Sequence, residues 1–377
     1  MHVRAFRQPG WSISGELPSG LDAIELPSDV TSYWGDGFPA LRAEHVLVRG
    51  DPPPRHELRQ VESPLTEEML RPITTSTATI QFRSLLTDED FERLGGWVQN
   101  QPDIRLRAYG SYDGSIVDLE FLRFFPVLRS FSVDAIWKLT SLDGLRHLPE
   151  DLDALTIGRT ERSLSLGWLE RLTQLRQLYL EGQTHDIEVV GRLRSLEDLT
   201  LRSITLPGLD LLTDLDHLWS LDLKLGGTKD LRELPSVGHL RYLEIWMVKG
   251  FSDLSPVSEL PELEVLFLQA LKNVTVLPDF ARCRKLRHVG LDTMKGLRDV
   301  SPLATAPSLQ SFSAVSMQHL HPEDFTCLRD ITTLRQVRVG LGSDRKNRAV
   351  DDLLGEVATR AWDQELSTPT GSVRREA

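Results

Sequence analysis

Two histidines one residue apart, His319-Leu320-His321, stand close to Glu323 and Asp324, a grouping with the ligand types of a metal site. Alternate residues of a strand share a face, so both imidazoles could reach one ion. The spacing also has a plainer origin. Leu320 falls on a recurring apolar position, and His321-Pro322-Glu323-Asp324 has the form of a capped helix start. Asp216-His217 and His185-Asp186 each set a base beside an orienting acid, but a dipeptide fixes no catalytic geometry and places no nucleophile. Cys283 lacks a nearby His–acid arrangement, since His288 belongs to the other face of the following strand. Gly340-Leu341-Gly342 is too short for a phosphate loop and lets the chain leave the strand before it. The expectation is no catalytic site, no metal and no cofactor.

The elements that carry these residues recur at a fixed period, which decides the fold before any local reading. The stretch Leu240–Leu268 is one complete unit. It opens with Leu240, Leu243 and Ile245 in a Leu-x-x-Leu-x-Ile pattern and closes with Leu263, Leu266 and Leu268 in Leu-x-x-Leu-x-Leu. The second leucine-type position recurs at Phe131, Leu155, Leu178, Leu199, Leu221, Leu243, Leu266, Val289, Phe312 and Val337, at spacings of 21 to 25 residues. Weaker copies stand at Leu106 and Ile80, and Leu85–Leu94 echoes His319–Leu328, so the array is expected to start near residue 80.

With these residues in place the chain resembles a leucine-rich repeat protein of the short bacterial, SDS22-like or internalin-like type. Asp253-Leu254-Ser255-Pro256-Val257 and Asp299-Val300-Ser301-Pro302-Leu303 carry the signature that follows the strand in that family. The resemblance covers roughly residues 80–340 and implies an α/β solenoid. Its form is a leucine-rich repeat horseshoe with a parallel concave β-sheet and short convex helical or 3-10 segments. One departure is plain. Where the family usually places Asn, this chain has Ile204, Leu225, Val248, Leu271, Met294 and Met317. The turn is therefore expected to be packed by apolar side chains, with its backbone bonded some other way.

Residues 1–79 do not keep the period and read as an N-terminal capping region. In it, Leu21–Leu26 and His45–Val48 have strand character, Asp51-Pro52-Pro53-Pro54 is a stiff linker, and Ser63-Pro64 opens a short helix over Leu65, Met69 and Leu70. After the array at 80–340, a capping helix is expected within 341–366. It runs over 348–362 from a cap at Ser343 or Asp344, with Val350, Leu353, Leu354, Val357, Ala361 and Trp362 on one stripe. Residues 367–377 read as a disordered tail.

The chain has 377 residues, a net charge of −12 and two cysteines, Cys283 and Cys327. The charge argues against a nucleic-acid partner and against anionic membranes. No stretch approaches the ~20 apolar residues of a membrane span. The start, MHVRAFRQPGW, shows no secretory h-region, and two thiols fit a reducing compartment, so a cytoplasmic location is expected. The excess of Arg over Lys suggests a GC-rich bacterial genome.

Strand alternation turns Leu266 and Leu268 inward and Val265, Phe267 and Gln269 outward, onto the concave face. The middle outward column then runs Arg107, Ser132, Thr156, Tyr179, Thr200, Asp222, Glu244, Phe267, Gly290, Ser313, Arg338. Tyr242, Trp246 and Phe267 are three aromatics in two adjacent units. Tyr179, Glu181, Asp198, Asp222, Glu244 and Asp292 surround them, and His288 borders the group as a candidate source of pH sensitivity. Aromatics ringed by charge have the composition of a hot spot. Because this face is taken as exposed, Phe267→Ser is expected to leave stability nearly unchanged. The function expected is a non-enzymatic scaffold that binds another protein, with no small-molecule substrate. The alternative is an inhibitor or immunity protein that neutralises a toxin or enzyme.

Overall fold

Leu266 and Leu268 are fully buried, as are Leu243 and Ile245 one unit earlier and Val289 and Leu291 one unit later. Stacking of such columns is what makes the fold, because one unit alone buries too little to fold and each neighbour completes the other's core. Every buried leucine is worth about 1.5–3 kcal/mol.

The computed structural model describes residues 2–4, 46–48, 56–74, 77–101 and 104–355. Two short strands, β1 (His2–Arg4) and β2 (Val46–Val48), pair antiparallel with each other. A second sheet holds thirteen strands in chain order, all parallel to their neighbours. Its first half is β3 (His56–Gln60), β4 (Thr77–Phe82), β5 (Ile104–Tyr109), β6 (Ser130–Asp134), β7 (Ala154–Ile157), β8 (Gln177–Glu181) and β9 (Asp198–Arg202). Then come β10 (Ser220–Lys224), β11 (Tyr242–Trp246), β12 (Val265–Gln269), β13 (His288–Asp292), β14 (Ser311–Val315) and β15 (Gln336–Val339). The return segments are short 3-10 turns, such as Asp143–His147, Ser255–Glu259 and Ser301–Thr305. The open parallel sheet with 3-10 returns is a leucine-rich repeat horseshoe. Among the described residues no helix is long and apolar enough to cross a membrane.

The missing Asn column is replaced by backbone geometry. At the exit edge, where the strands end, the next residue takes the left-handed conformation. Ala135, Ser203, Leu225, Met247, Ala270, Thr293 and Ser316 all have φ between 50° and 57°. Most then donate their N–H to the last residue of the next strand: Ser203 to Lys224 O at 2.7 Å, Leu225 to Trp246 O at 2.8 Å, Met247 to Gln269 O at 2.9 Å and Ala270 to Asp292 O at 2.8 Å. The residue after it is buried: Ile204, Val248, Leu271, Met294 and Met317. Leu225 does not belong with these; it holds the left-handed position itself, and Gly226 fills the slot behind it. A β-carbon on Gly226 would stand 1.9 Å from the Ile204 carbonyl oxygen, which is why no apolar side chain fits there.

At the entry edge, where the strands begin, the residue just before each strand forms a ladder of another kind. Each carbonyl there accepts two N–H groups from the next unit; Arg176 O takes Glu197 N at 2.9 Å and Asp198 N at 3.0 Å, and Arg241 O takes Glu264 N and Val265 N. Several of their side chains pair in opposite charge across strands, with Trp219 and Gln310 interrupting the alternation. Arg129 reaches Asp153 at 3.1 Å, Arg176 reaches Glu197 at 2.7 Å and Arg241 reaches Glu264 at 2.6 Å.

The sheet begins one strand before the array start expected near residue 80, because residues 56–60 are β3. Arg59 pairs with Ile80 and so stands in the inward leucine column. It is buried, donates to Met69 O at 3.1 Å and Arg71 O at 2.5 Å, pairs with Glu57 at 2.7 Å and lies 5.6 Å over Trp97. A guanidinium in place of leucine hides the period. The helix expected from Ser63 is absent; residues 67–70 form a turn. Ser63 Oγ accepts from Thr87 N–H and Leu65 N–H goes to Asp90, so both groups serve α1 (Asp88–Val98) instead of a helix of their own. Behind it Phe91 stacks on Phe121 and Phe82 meets both edge-on, at 5.2–5.4 Å between centroids.

At the far end, α2 (Asp344–Leu354) packs against the Pro322–Asp330 turn. Ser343 caps it by accepting from Lys346 N–H, and Val350 and Leu354 are buried. The helix starts earlier than the 348 expected from its stripe. The readings at Leu21–Leu26, Asp51–Pro54, Val357, Ala361, Trp362 and residues 367–377 lie outside the described residues.

Candidate functional site

The strand register forms the middle concave column in the order read from the repeat, with Asp222 beside Glu244, Glu244 beside Phe267 and Phe267 beside Gly290. Tyr242, Val265 and His288 make the row before it, and Trp246, Gln269 and Asp292 the row after it. The ten candidate residues therefore share one face.

That face is not open as expected. Tyr179, Asp222, Tyr242, Glu244, Phe267, His288 and Asp292 are buried; Glu181, Asp198 and Trp246 are half-buried. Alternation along a strand fixes the face on which a side chain stands and is silent on whether that face meets water. Columns ~4.8 Å apart also let polar groups turn to one another. The expectation that Phe267→Ser is harmless fails with this, because Phe267 is only 4% exposed.

Polar groups on the closed face meet partners at their own depth. Lys224 Nζ sits 3.0 Å from Glu244 Oε2 and 3.3 Å from Asp222 Oδ2, with its side chain fully buried. Thr200 Oγ1 donates to Asp222 at 3.0 Å, and the Tyr242 hydroxyl donates to Glu244 at 2.9 Å. Burial pushes the Glu244 carboxyl up, the Lys224 ammonium opposes this, and the Asp222 charge adds to the rise. This cluster is a clamp across β10 and β11: removing one member of such a buried set costs about 3–5 kcal/mol, since a charge is left uncompensated. Nearer the first repeats, Arg107 forks onto Asp134 at 2.9 and 3.1 Å and lies 4.1 Å from the Tyr109 ring. Burial holds the Asp134 carboxyl above its usual range despite that fork.

His288 is buried, and burial drives its titration down to about 4, with the Arg287 charge adding to it. It stays neutral across the physiological range, so the expected pH sensitivity near neutrality is not found. What remains partly open is a strip at the strand ends. There the Arg202 guanidinium lies 5.3 Å over the Trp246 ring and pairs with Glu181 at 3.2 Å, while Tyr179 OH donates to the same carboxylate at 3.3 Å. Gln269 donates to Asp292 at 2.8 Å beside them.

The other candidate chemistries resolve separately. His319 Nε2 meets Leu297 O at 2.8 Å, and His321 N–H donates to Asp324 Oδ2 at 2.8 Å as the cap of the last 3-10 segment. Among the described residues no three His, Cys, Asp or Glu side chains are grouped to hold a metal ion. Burial pushes the thiols of Cys283 and Cys327 up to about 11, so both are protonated at neutral pH. His185 and Asp186 stand 3.6 Å apart on an exposed turn. What the sequence reading overlooked is the exit edge, where Tyr112, Trp137 and Met247 are exposed. Its signal was available: large apolar residues within three positions after a strand, outside both leucine columns.

No protein-family model matches the sequence, and no curated protein matches it. Among solved structures, the chain is similar to an internalin (inlF) from Listeria monocytogenes, at 18% identity and a TM-score of 0.45 over 76% of this chain and 87% of that one. It is also similar to an internalin C2 from the same species, at 20% identity and a TM-score of 0.35 over 58% of this chain and 82% of that one. The chain is a leucine-rich repeat protein, and its strand register and buried leucine columns are what define it as one.

Proposed function

We propose that the protein is a non-enzymatic scaffold that recognises a partner protein through the half-open strip of its concave sheet. The observation that carries this is the Trp246–Arg202–Glu181 stack. A Trp held flat by a guanidinium that is itself fixed by a carboxylate loses little freedom on binding, and Trp and Arg dominate hot spots. Asp198 belongs to the same accessible set, while Tyr179, Asp222, Tyr242, Glu244, Phe267, His288 and Asp292 support it from below. The reading includes a cytoplasmic setting, in which Cys283 and Cys327, both free, stay reduced.

A photo-crosslinking amino acid in place of Asp198, which leaves the Trp246–Arg202–Glu181 stack in place, tests the reading in extracts of the source cells. A single covalent adduct, suppressed by excess unmodified protein and absent when the crosslinker replaces convex Glu259, is the expected outcome. Equal labelling at both positions would move the binding site off the concave face.

A further inference from the structure

We propose that Lys224 is a positioning residue for the concave strip. Drawn toward the middle column by Asp222 and Glu244, it leaves its own row to the Arg202–Trp246 stack. The strip therefore takes an apolar anchor from its partner in preference to a carboxylate. The choice of anchor rests on the concave strip being the binding site, whereas the seat of Lys224 does not depend on a partner.

Strand register brings three large side chains into one row. Lys224 of β10 is level with Arg202 of β9 on one side and with Trp246 of β11 on the other. Arg202 and Trp246 are thus two strand steps of ~4.8 Å apart, with Lys224 between them. The guanidinium nevertheless lies 5.3 Å from the centre of the indole. The way across β10 is clear because Lys224 bends out of the row: it is 1% exposed, while Arg202 and Trp246 are half-buried. Its Nζ lies 3.0 Å from Glu244 Oε2 and 3.3 Å from Asp222 Oδ2, both in the middle column. A flexible four-carbon stem permits the bend, and the two carboxylates supply its cause. Without them the ammonium would face a guanidinium on the neighbouring strand, a like-charge pair that a sheet disfavours. It would also compete with Arg202 for the face of the same ring.

The rest of the row is matched in the same internal way. Glu181 pairs with Arg202 at 3.2 Å, and Asp292 accepts from Gln269 at 2.8 Å. The strip therefore presents an indole between polar groups that already have partners. An aliphatic or aromatic side chain can bury against it without stripping water from an unmatched charge. A carboxylate would find the Lys224 ammonium closed off and Arg202 engaged with Glu181.

The test separates Lys224 from its two acids in the full chain, labelled with fluorotryptophan and observed by fluorine NMR. Trp246→Phe identifies the Trp246 resonance. In Asp222→Asn with Glu244→Gln the ammonium loses its counter-charges and returns to its row, so the Trp246 resonance should move as Arg202 is displaced. Adding Lys224→Met leaves a neutral set of similar shape and should bring the resonance back to its parent position. A role in stability alone would give both variants the same resonance, and that result would overturn the proposal. Should the double variant not fold, Glu244→Gln is compared with Glu244→Gln plus Lys224→Met in the same way. The partner is read in parallel with the crosslinker at Asp198. The adduct is expected to fall about tenfold or more in the double variant and to recover with Lys224→Met. Mass spectrometry of the joined segment should show an aromatic or aliphatic residue beside the joint. A segment of acidic residues without one, or an adduct undiminished in the double variant, would overturn the choice of anchor. No adduct from the parent chain would overturn the concave reading and the anchor with it, while the fluorine result alone decides Lys224.

Discussion

The two edges of the sheet solve the same problem with opposite means. At the entry edge the charges are consumed inside the molecule: Arg176 and Glu197, and Arg241 and Glu264, bind across neighbouring strands, and each carbonyl there takes two N–H groups. At the exit edge the backbone does the joining through left-handed residues of no common type, and among the described residues Lys249, Lys272 and Lys295, in the turns beyond the strands, enter no ion pair. The entry edge therefore holds the stack with paired side chains as well as backbone, and the exit edge holds it with backbone alone. A repeat can keep these means apart because each strand has only two ends, and every unit presents the same end to the same side.

Charge reversal breaks the comparison most sharply. Arg241→Glu sets two carboxylates together at a site where Glu264 is nearly closed to water, and should cost about 2 kcal/mol or more in urea unfolding. Lys272→Glu at the exit edge should stay within about 0.5 kcal/mol. Equal losses would mean that both edges are structural.

The second test concerns pH and the entry edge, where His288 opens β13. Its folded titration lies near 4 against 6.5 for the free group. Between these values the unfolded chain takes up a proton that the folded chain refuses, so stability falls as pH drops from 6.5 to 4 and the loss is complete below 4. The full shift corresponds to roughly 3 kcal/mol. The raised carboxyls of Glu244 and Asp134 act with the other sign, losing stability as pH rises. The contribution of His288 is therefore the difference between the parent and His288→Gln, and it should shrink steadily toward acid. A constant difference from pH 7 to 4 would show that burial does not hold the imidazole neutral.

The smallest effect is at the left-handed turn. Ala270 has φ 54°, a conformation that costs a side chain about 1–2 kcal/mol and glycine nearly nothing. Ala270→Gly should gain something under ~1 kcal/mol after the extra freedom of the unfolded chain is counted. A loss would place the role of Ala270 in its methyl group.

How much of this was legible depends on which physical signal each feature leaves. The inward columns were readable because burial demands apolar residues at a period, and Leu243, Leu266 and Val289 obey it. Arg59 broke the reading of the first strand because a guanidinium satisfied by carbonyls can occupy a leucine position. The left-handed turns left no trace, since Ser203, Leu225 and Met247 share a backbone angle and no side-chain chemistry. The concave residues were placed on one face by alternation, yet their burial depends on how side chains of neighbouring columns turn to one another, which no local pattern encodes. The entry ladder was visible in principle. Arg129, Asp153, Arg176 and Glu197 alternate in sign at the repeat spacing, one residue before each strand.

Arg59 also bears on assembly. A solenoid is a one-dimensional crystal, and its end faces offer further copies the same contacts that join its own units. At the first end that offer is withdrawn: the column that elsewhere shows leucine to its neighbour shows a cation whose hydrogen bonds are spent on Met69 and Arg71. A second copy stacking there would meet a satisfied guanidinium where the repeat elsewhere offers leucine, beside the exposed Leu58. Adding a unit on that strand would therefore gain less from burial than stacking a unit within the array does.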